Sequence, residues 1–163
     1  MERAWLSLGS NLEPEKHRRA ALAELRARYG AVVVSPTYRT RAVGFDGPDF
    51  LNLAVGIDTD ETPQALDEWL HALEARHGRV RTGSRYSSRT LDADIVLFGE
   101  RIVHGPGNLE IPRGELVKHA FVLQPMADVA PDVVHPQLRV TIGRLWAAFE
   151  GDRASICDAV DIS

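Results

Sequence analysis

Residues 88–99 read Ser-Arg-Thr-Leu-Asp-Ala-Asp-Ile-Val-Leu-Phe-Gly. The run Leu91-Asp92-Ala93-Asp94-Ile95-Val96-Leu97 predicts a strand, and strand side chains alternate between faces. Both carboxylates therefore share one face, while Leu91, Ala93, Ile95 and Leu97 are expected in a core on the other. Upstream, Thr62 and Pro63 supply an N-cap and a first-turn proline for a helix with Leu66, Trp69, Leu70 and Leu73 on one face, ended by Gly78. Phe50 to Ile57 alternates as a further strand, and the mixed glycine, proline and aspartate stretch from Gly44 to Asp49 predicts an exposed, mobile loop before it. The β-branched run Val32-Val33-Val34 begins another strand that Pro36 limits and that continues in some form through Tyr38. Ala4 to Leu8 is a short buried strand halted by Gly9-Ser10-Asn11, after which Pro14 opens a helix to about Tyr29, closed by Gly30.

The order strand, helix, strand, strand, helix, strand predicts an α+β fold: a ferredoxin-like βαββαβ core whose mainly antiparallel sheet packs with helices. Extra elements fill the last third, among them an amphipathic helix from Ile142 to Phe149. At 163 residues the chain suits one domain over 1–163, with 151–163 as a C-terminal tail. A formal net charge of -4 argues against a nucleic-acid partner except through a local basic patch. Cys157 is the only cysteine, so there is no internal disulfide and no cysteine-rich zinc site. Met1 to Leu8 lacks the apolar core of a signal peptide, and charges and glycines interrupt every apolar stretch that could span a membrane. A soluble, cytoplasmic monomer is expected.

Two adjacent carboxylates repel unless a cation lies between them, and an oxygen-rich pair suits Mg²⁺, which takes remaining ligands from substrate phosphates. Alone, an Asp-x-Asp is more often a solvated strand face. Arg76, Arg79, Arg81, Arg85 and Arg89 precede the aspartates, in a stretch loosened by Gly78 and Gly83. Guanidinium forks match phosphate oxygens in pairs, so these cations beside a carboxylate pair could clamp a polyphosphate. Surface ion pairs or a basic RNA-binding loop explain them about as well. No Gly-x-x-x-x-Gly-Lys-Ser/Thr or Gly-x-Gly-x-x-Gly sequence is present, so an ATP site would rest on side chains. His-Glu-x-x-His and Gly-x-Ser-x-Gly are also absent, and hydrolytic readings have little support.

LSLGSNL near the start, YRT at 38–40, FLN at 50–52, GRVR at 78–81, SRTLDADIVLFG at 88–99 and AFVLQPM from 120 together resemble the 6-hydroxymethyl-7,8-dihydropterin pyrophosphokinase family. The resemblance implies a folate-pathway transferase that moves diphosphate from ATP to a pterin alcohol and releases AMP. It implies that Asp92 and Asp94 hold two Mg²⁺ ions and that Arg79 and Arg89 grip the α- and β-phosphates, with these four residues catalytic. Arg81, Glu74, Ile95, Arg113 and His119 would complete the ATP site. Phe50 and Phe121 would stack on the pterin ring, Asn52 would meet its edge, and Thr40, Val43 and Asp92 would complete that pocket. Glu74 reads nearly as well as a solvated helix carboxylate.

The chain departs from the family pattern in places: Tyr86 stands where tryptophan is common, and Ser87-Ser88 replace a glycine-proline pair. Arg113 occupies the place of a usual histidine and His119 that of a usual arginine. Histidine is a cation only when it carries a second ring proton, whereas arginine stays charged throughout. If His119 acts on ATP, His119→Arg is expected to preserve or raise turnover at alkaline pH; a large loss in the measured rate would contradict that role. A nucleotide- or pterin-binding protein that has lost turnover is the rival reading.

Overall fold

The computed structural model of the chain describes residues 1–42, 45–78 and 90–160. Its first strand, β1 (Glu2–Ser10), is central, pairing antiparallel with β4 (Phe50–Thr59) on one side and β5 (Asp92–Phe98) on the other. Between β1 and β4 the chain forms α1 (Pro14–Tyr29), β2 (Val33–Val34) and β3 (Thr37–Thr40). Both short strands pair with β4, and Pro36, which has no N–H for the ladder, separates them. After β4, α2 (Pro63–Arg76) begins at its expected cap, where Thr62 Oγ1 accepts from the Ala65 amide at 3.1 Å. The resulting path β5-β1-β4-β3 is the strand order of the ferredoxin-like core read from the sequence.

Alternation along the strands gives the sheet two covered faces. Leu6, Leu8, Leu53, Val55, Ile57 and Ile95 meet Leu22 and Leu25 of α1 and Leu66, Leu70 and Leu73 of α2. The opposite face carries Trp5, Ala54, Val96 and Leu97. Strict alternation misplaces one residue here. The β1–β5 register shifts at Trp5/Leu6, so that Leu6 faces Ile95 while Trp5 faces Leu97. The extra residue, Val96, makes a bulge that moves Leu97 from the expected Ile95 face to the other.

The last third supplies the helices that cover that second face and a hairpin whose Leu109 and Ile111 join the first core. It comprises a hairpin of β6 (Val103–His104) and β7 (Glu110–Ile111), the single turn α3 (Glu115–Lys118), α4 (Ala120–Val129), α5 (Ile142–Ala147) and β8 (Ile156–Val160). Val122, Leu123 and Met126 of α4 and Ile142 of α5 fill the second core. The tail is not a loose end: β8 pairs antiparallel with β3 and extends the sheet.

Close packing on this face depends on Gly56. A Cβ there would stand 2.6 Å from Cζ3 of its cross-strand partner Trp5. Gly56→Ala is expected to lower stability by about 1–3 kcal/mol, the usual effect of overpacking a filled core. An unchanged urea midpoint would show that the indole can move aside.

Candidate active site

Cross-strand pairing places the polar residues of the second face in rows. One row runs Tyr38, Asn52, Gly9, Asp92 across β3, β4, β1 and β5. The row beside it contains Ala54, Ser7 and Asp94, and on the other side Thr40 faces Phe50. With strands about 4.8 Å apart, Asn52 and Asp92 are about 10 Å from each other across the bare backbone of Gly9. A Cβ at Gly9 would meet Asn52 Oδ1 at 2.6 Å, so the absent side chain is what gives that amide its place. Asn52 is buried and its Nδ2 donates to Thr40 Oγ1 at 2.6 Å. Phe50 keeps an exposed part, and Phe45 meets it edge-on with centroids 6.2 Å apart. The Gly44 to Asp49 stretch, where described, is exposed from 46 to 49 as expected, yet Asn11 Nδ2 ties it down by donating to the Pro48 carbonyl at 3.0 Å.

In the adjacent row, Asp94 is only 22% exposed. Burial, then the neighbouring Asp92 charge, pushes its carboxyl well above the usual aspartate range, against the opposing charge of Arg113. Arg113 Nη2 lies 3.5 Å from Asp94 Oδ1, and its Nε donates to Glu115 Oε2 at 3.2 Å. Burial works against the Arg113 charge, but Asp94, Glu115 and Asp92 outweigh it and raise its pKa. The bulge helps set this contact, because the Val96 carbonyl accepts the Arg113 amide at 3.0 Å. Glu74 is not the solvated carboxylate that a helix position allowed. It is buried beside β5, where Oε2 accepts the Ala93 amide, between the two aspartates, at 2.9 Å.

The wall facing the sheet is the start of α4. The His119 ring stacks on Phe121 with centroids 4.9 Å apart and planes 20° off parallel. Further along α4, Asp128 accepts a short hydrogen bond from the Tyr38 hydroxyl and Gln124 Nε2 donates to the same oxygen at 3.4 Å, fastening the helix to β3. Burial and then Asp128 push the Tyr38 hydroxyl up to about 12, so it remains a donor through the alkaline range.

Residues 5–131 match the family described as 7,8-dihydro-6-hydroxymethylpterin-pyrophosphokinase (HPPK). The chain belongs to the HPPK family. Among curated relatives, the 2-amino-4-hydroxy-6-hydroxymethyldihydropteridine pyrophosphokinase of Pseudomonas aeruginosa is 41% identical over 93% of this chain and 95% of its own length. The protein of the same name from Methylorubrum extorquens is also 41% identical, over 82% of this chain and 86% of its own. Among solved structures, a Plasmodium falciparum HPPK-DHPS triple mutant shares the fold with a TM-score of 0.71 at 15% identity. That likeness covers 90% of this chain but 41% of the larger one.

Of the HPPK-type site residues expected from sequence, one face and its covering helix collect Asp92, Asp94, Asn52, Phe50, Thr40, Phe121, His119 and Arg113. Ile95 is buried in the opposite core, beneath the aspartates. Val43, Arg79, Arg81 and Arg89, with Tyr86, Ser87 and Ser88, lie outside the described residues. Sequence reasoning missed Glu115, Tyr38's link to Asp128, and Asp152. The first lies two residues from Arg113 and was open to a charge-pairing argument. The other two pair residues 90 and 33 positions apart, and only the fold brings them together.

Proposed function

We propose that this HPPK-family chain transfers diphosphate from ATP to 6-hydroxymethyl-7,8-dihydropterin in folate biosynthesis, releasing AMP and the pterin diphosphate. The observation that carries the reading is the Asn52-Gly9-Asp92 row, in which a buried amide stands about 10 Å from a carboxylate pair across the side-chain-free backbone of Gly9. Asn52 offers donor and acceptor together to the edge of a flat heterocycle, and Phe50 and Phe121 provide aromatic surfaces for its faces. Thr40 takes one Asn52 amide proton and so fixes which way that side chain presents its oxygen.

The aspartate pair fits Mg²⁺. Its two carboxylates share one face, and Asp94 resists ionisation there because burial and the Asp92 charge outweigh the opposing charge of Arg113. Two Mg²⁺ ions held by Asp92 and Asp94 would neutralise charge on the attacking and leaving oxygens of an in-line displacement at the β-phosphorus. Arg79, Arg81, Arg89 and Arg113 serve as cations toward the triphosphate, with His119 as a further ring-nitrogen contact, and charge-assisted contacts of the arginine kind align it. Asn52 and the two phenylalanines hold the pterin with its hydroxymethyl group toward the aspartate pair. Glu74, by binding the Ala93 amide, holds the strand that presents both aspartates.

Metal dependence gives a direct test. AMP formation from ATP and the pterin is expected to fall to background under excess chelator and to return with Mg²⁺. Turnover that persists in chelator would remove the aspartate pair from the mechanism. Pterin binding without AMP under any divalent cation would favour the binding-protein alternative.

A further inference from the structure

Asp152 lies beyond the residues that match the family, in the segment that leads from α5 to β8. Its two carboxylate oxygens hold different groups. Oδ1 accepts the Ala120 amide at 2.7 Å, and Oδ2 stands 2.9 Å from His119 Nδ1. The first contact satisfies one of the amides that the opening turn of α4 leaves without a helical partner. That turn carries Phe121. The second fixes a ring nitrogen of His119, whose ring is stacked on Phe121. Among the described residues Nε2 of His119 has no hydrogen-bond partner, so it is the nitrogen left for an external group, to which it donates when the ring carries both protons.

The same segment is also fastened to β3. The Ser155 carbonyl accepts the Arg41 amide at 2.8 Å, and β8 then pairs with β3, with Ile156 opposite Thr40. One end therefore holds the helix that carries Phe121 and His119, and the other holds the strand that carries Thr40. We propose that Asp152 is a positioning residue of the substrate site: Oδ1 sets the start of α4, and so Phe121 against the pterin, while Oδ2 orients His119 toward the ATP phosphates. This rests on the pterin and ATP reading given above.

Two variants separate the oxygens. Asp152→Ala loses both contacts and is expected to weaken pterin binding about five- to tenfold, the size of a lost helix cap, with ATP binding weakened as well. Asp152→Asn keeps an oxygen for the Ala120 amide, so the pterin Kd is expected within about twofold of the parent, but it brings no charge to His119 and should raise the ATP Kd about fivefold. Pterin fluorescence titration and calorimetric ATP titration with Mg²⁺ read these values, and thermal melting reports folding. Losses confined to the melting temperature, with both dissociation constants unchanged, would overturn the proposal. So would an asparagine variant that fails to restore pterin binding. If Asp152→Ala does not fold, Asp152→Asn decides alone through its ATP Kd, and parental affinity overturns the proposal. A parent that makes no AMP defeats the functional reading instead, while the pterin titration still decides the role of Asp152.

Discussion

Asp94→Ala is expected to lower pterin-dependent AMP formation by about 10²–10³-fold, the cost of removing one preorganised group that stabilises transition-state charge. The metal-free fold should tolerate the change. Asp94 is held beside Asp92 in a poorly solvated place, and its folded-state pKa is raised. A carboxyl of this kind binds its proton more tightly folded than unfolded, so its contribution to stability is present below the ordinary aspartate value of about 3.9 and is lost as pH rises through the folded-state value. At neutral pH without divalent cation its ionisation therefore works against the fold. Asp94→Asn, which cannot ionise, is expected to melt at or above the parental temperature under those conditions while losing turnover like Asp94→Ala. A variant that loses activity and melts well below the parent would mean that Asp94 serves the fold rather than the reaction.

Gly9→Ala tests the neighbouring row at its centre. The new methyl would lie 2.6 Å from Asn52 Oδ1, and Asn52 is buried and bonded to Thr40. Rotating the amide away breaks that bond and moves the group that would read the pterin edge. Leaving a buried polar group unpaired costs about 1–3 kcal/mol, so pterin affinity should fall by roughly five- to more than a hundredfold. Asn52→Ala is expected to lose a similar amount, and the double variant little more than either, because both remove one interaction. Full pterin affinity in Gly9→Ala, measured by fluorescence titration, would place the pterin away from Asn52. Losses that add in the double variant would show that Gly9 acts independently of Asn52.

The ferredoxin-like core was legible because its signals are local. Pro14, Thr62-Pro63 and the alternation around Asp92 and Asp94 mark elements through a few neighbouring residues, and each appears within a few positions of where it was expected. The bulge at Val96 was not legible, since a bulge is a property of two paired strands and neither sequence alone requires it. α4 escaped for a different reason. Pro125 lies inside it and removes the N–H that would close on Phe121, which argues locally against the helix; burial of Val122, Leu123 and Met126 against the sheet overrides that signal. β8 is a short strand whose partner lies far upstream, so its pairing with β3 could not be read from its own residues.

Of the candidate site, the aspartate pair, Asn52 and the two phenylalanines were named through family resemblance, and the fold brings them to one sheet face and its covering helix. The supporting residues were not accessible that way. Tyr38 with Asp128, and Asp152 with His119, are long-range pairs whose chemistry is ordinary in isolation. Glu74 shows the same limit, because a carboxylate on a helix reads as solvated until the strand amide that it accepts is in place.

Transfer of label from ATP carrying radioactive phosphorus at its β-position is the measurement closest to the central claim. The parent protein, with Mg²⁺ and 6-hydroxymethyl-7,8-dihydropterin, should move the label onto the pterin and release one unlabelled AMP for each pterin consumed. Labelled ADP with a monophosphorylated pterin, or no transfer by a protein that binds both substrates, would contradict it.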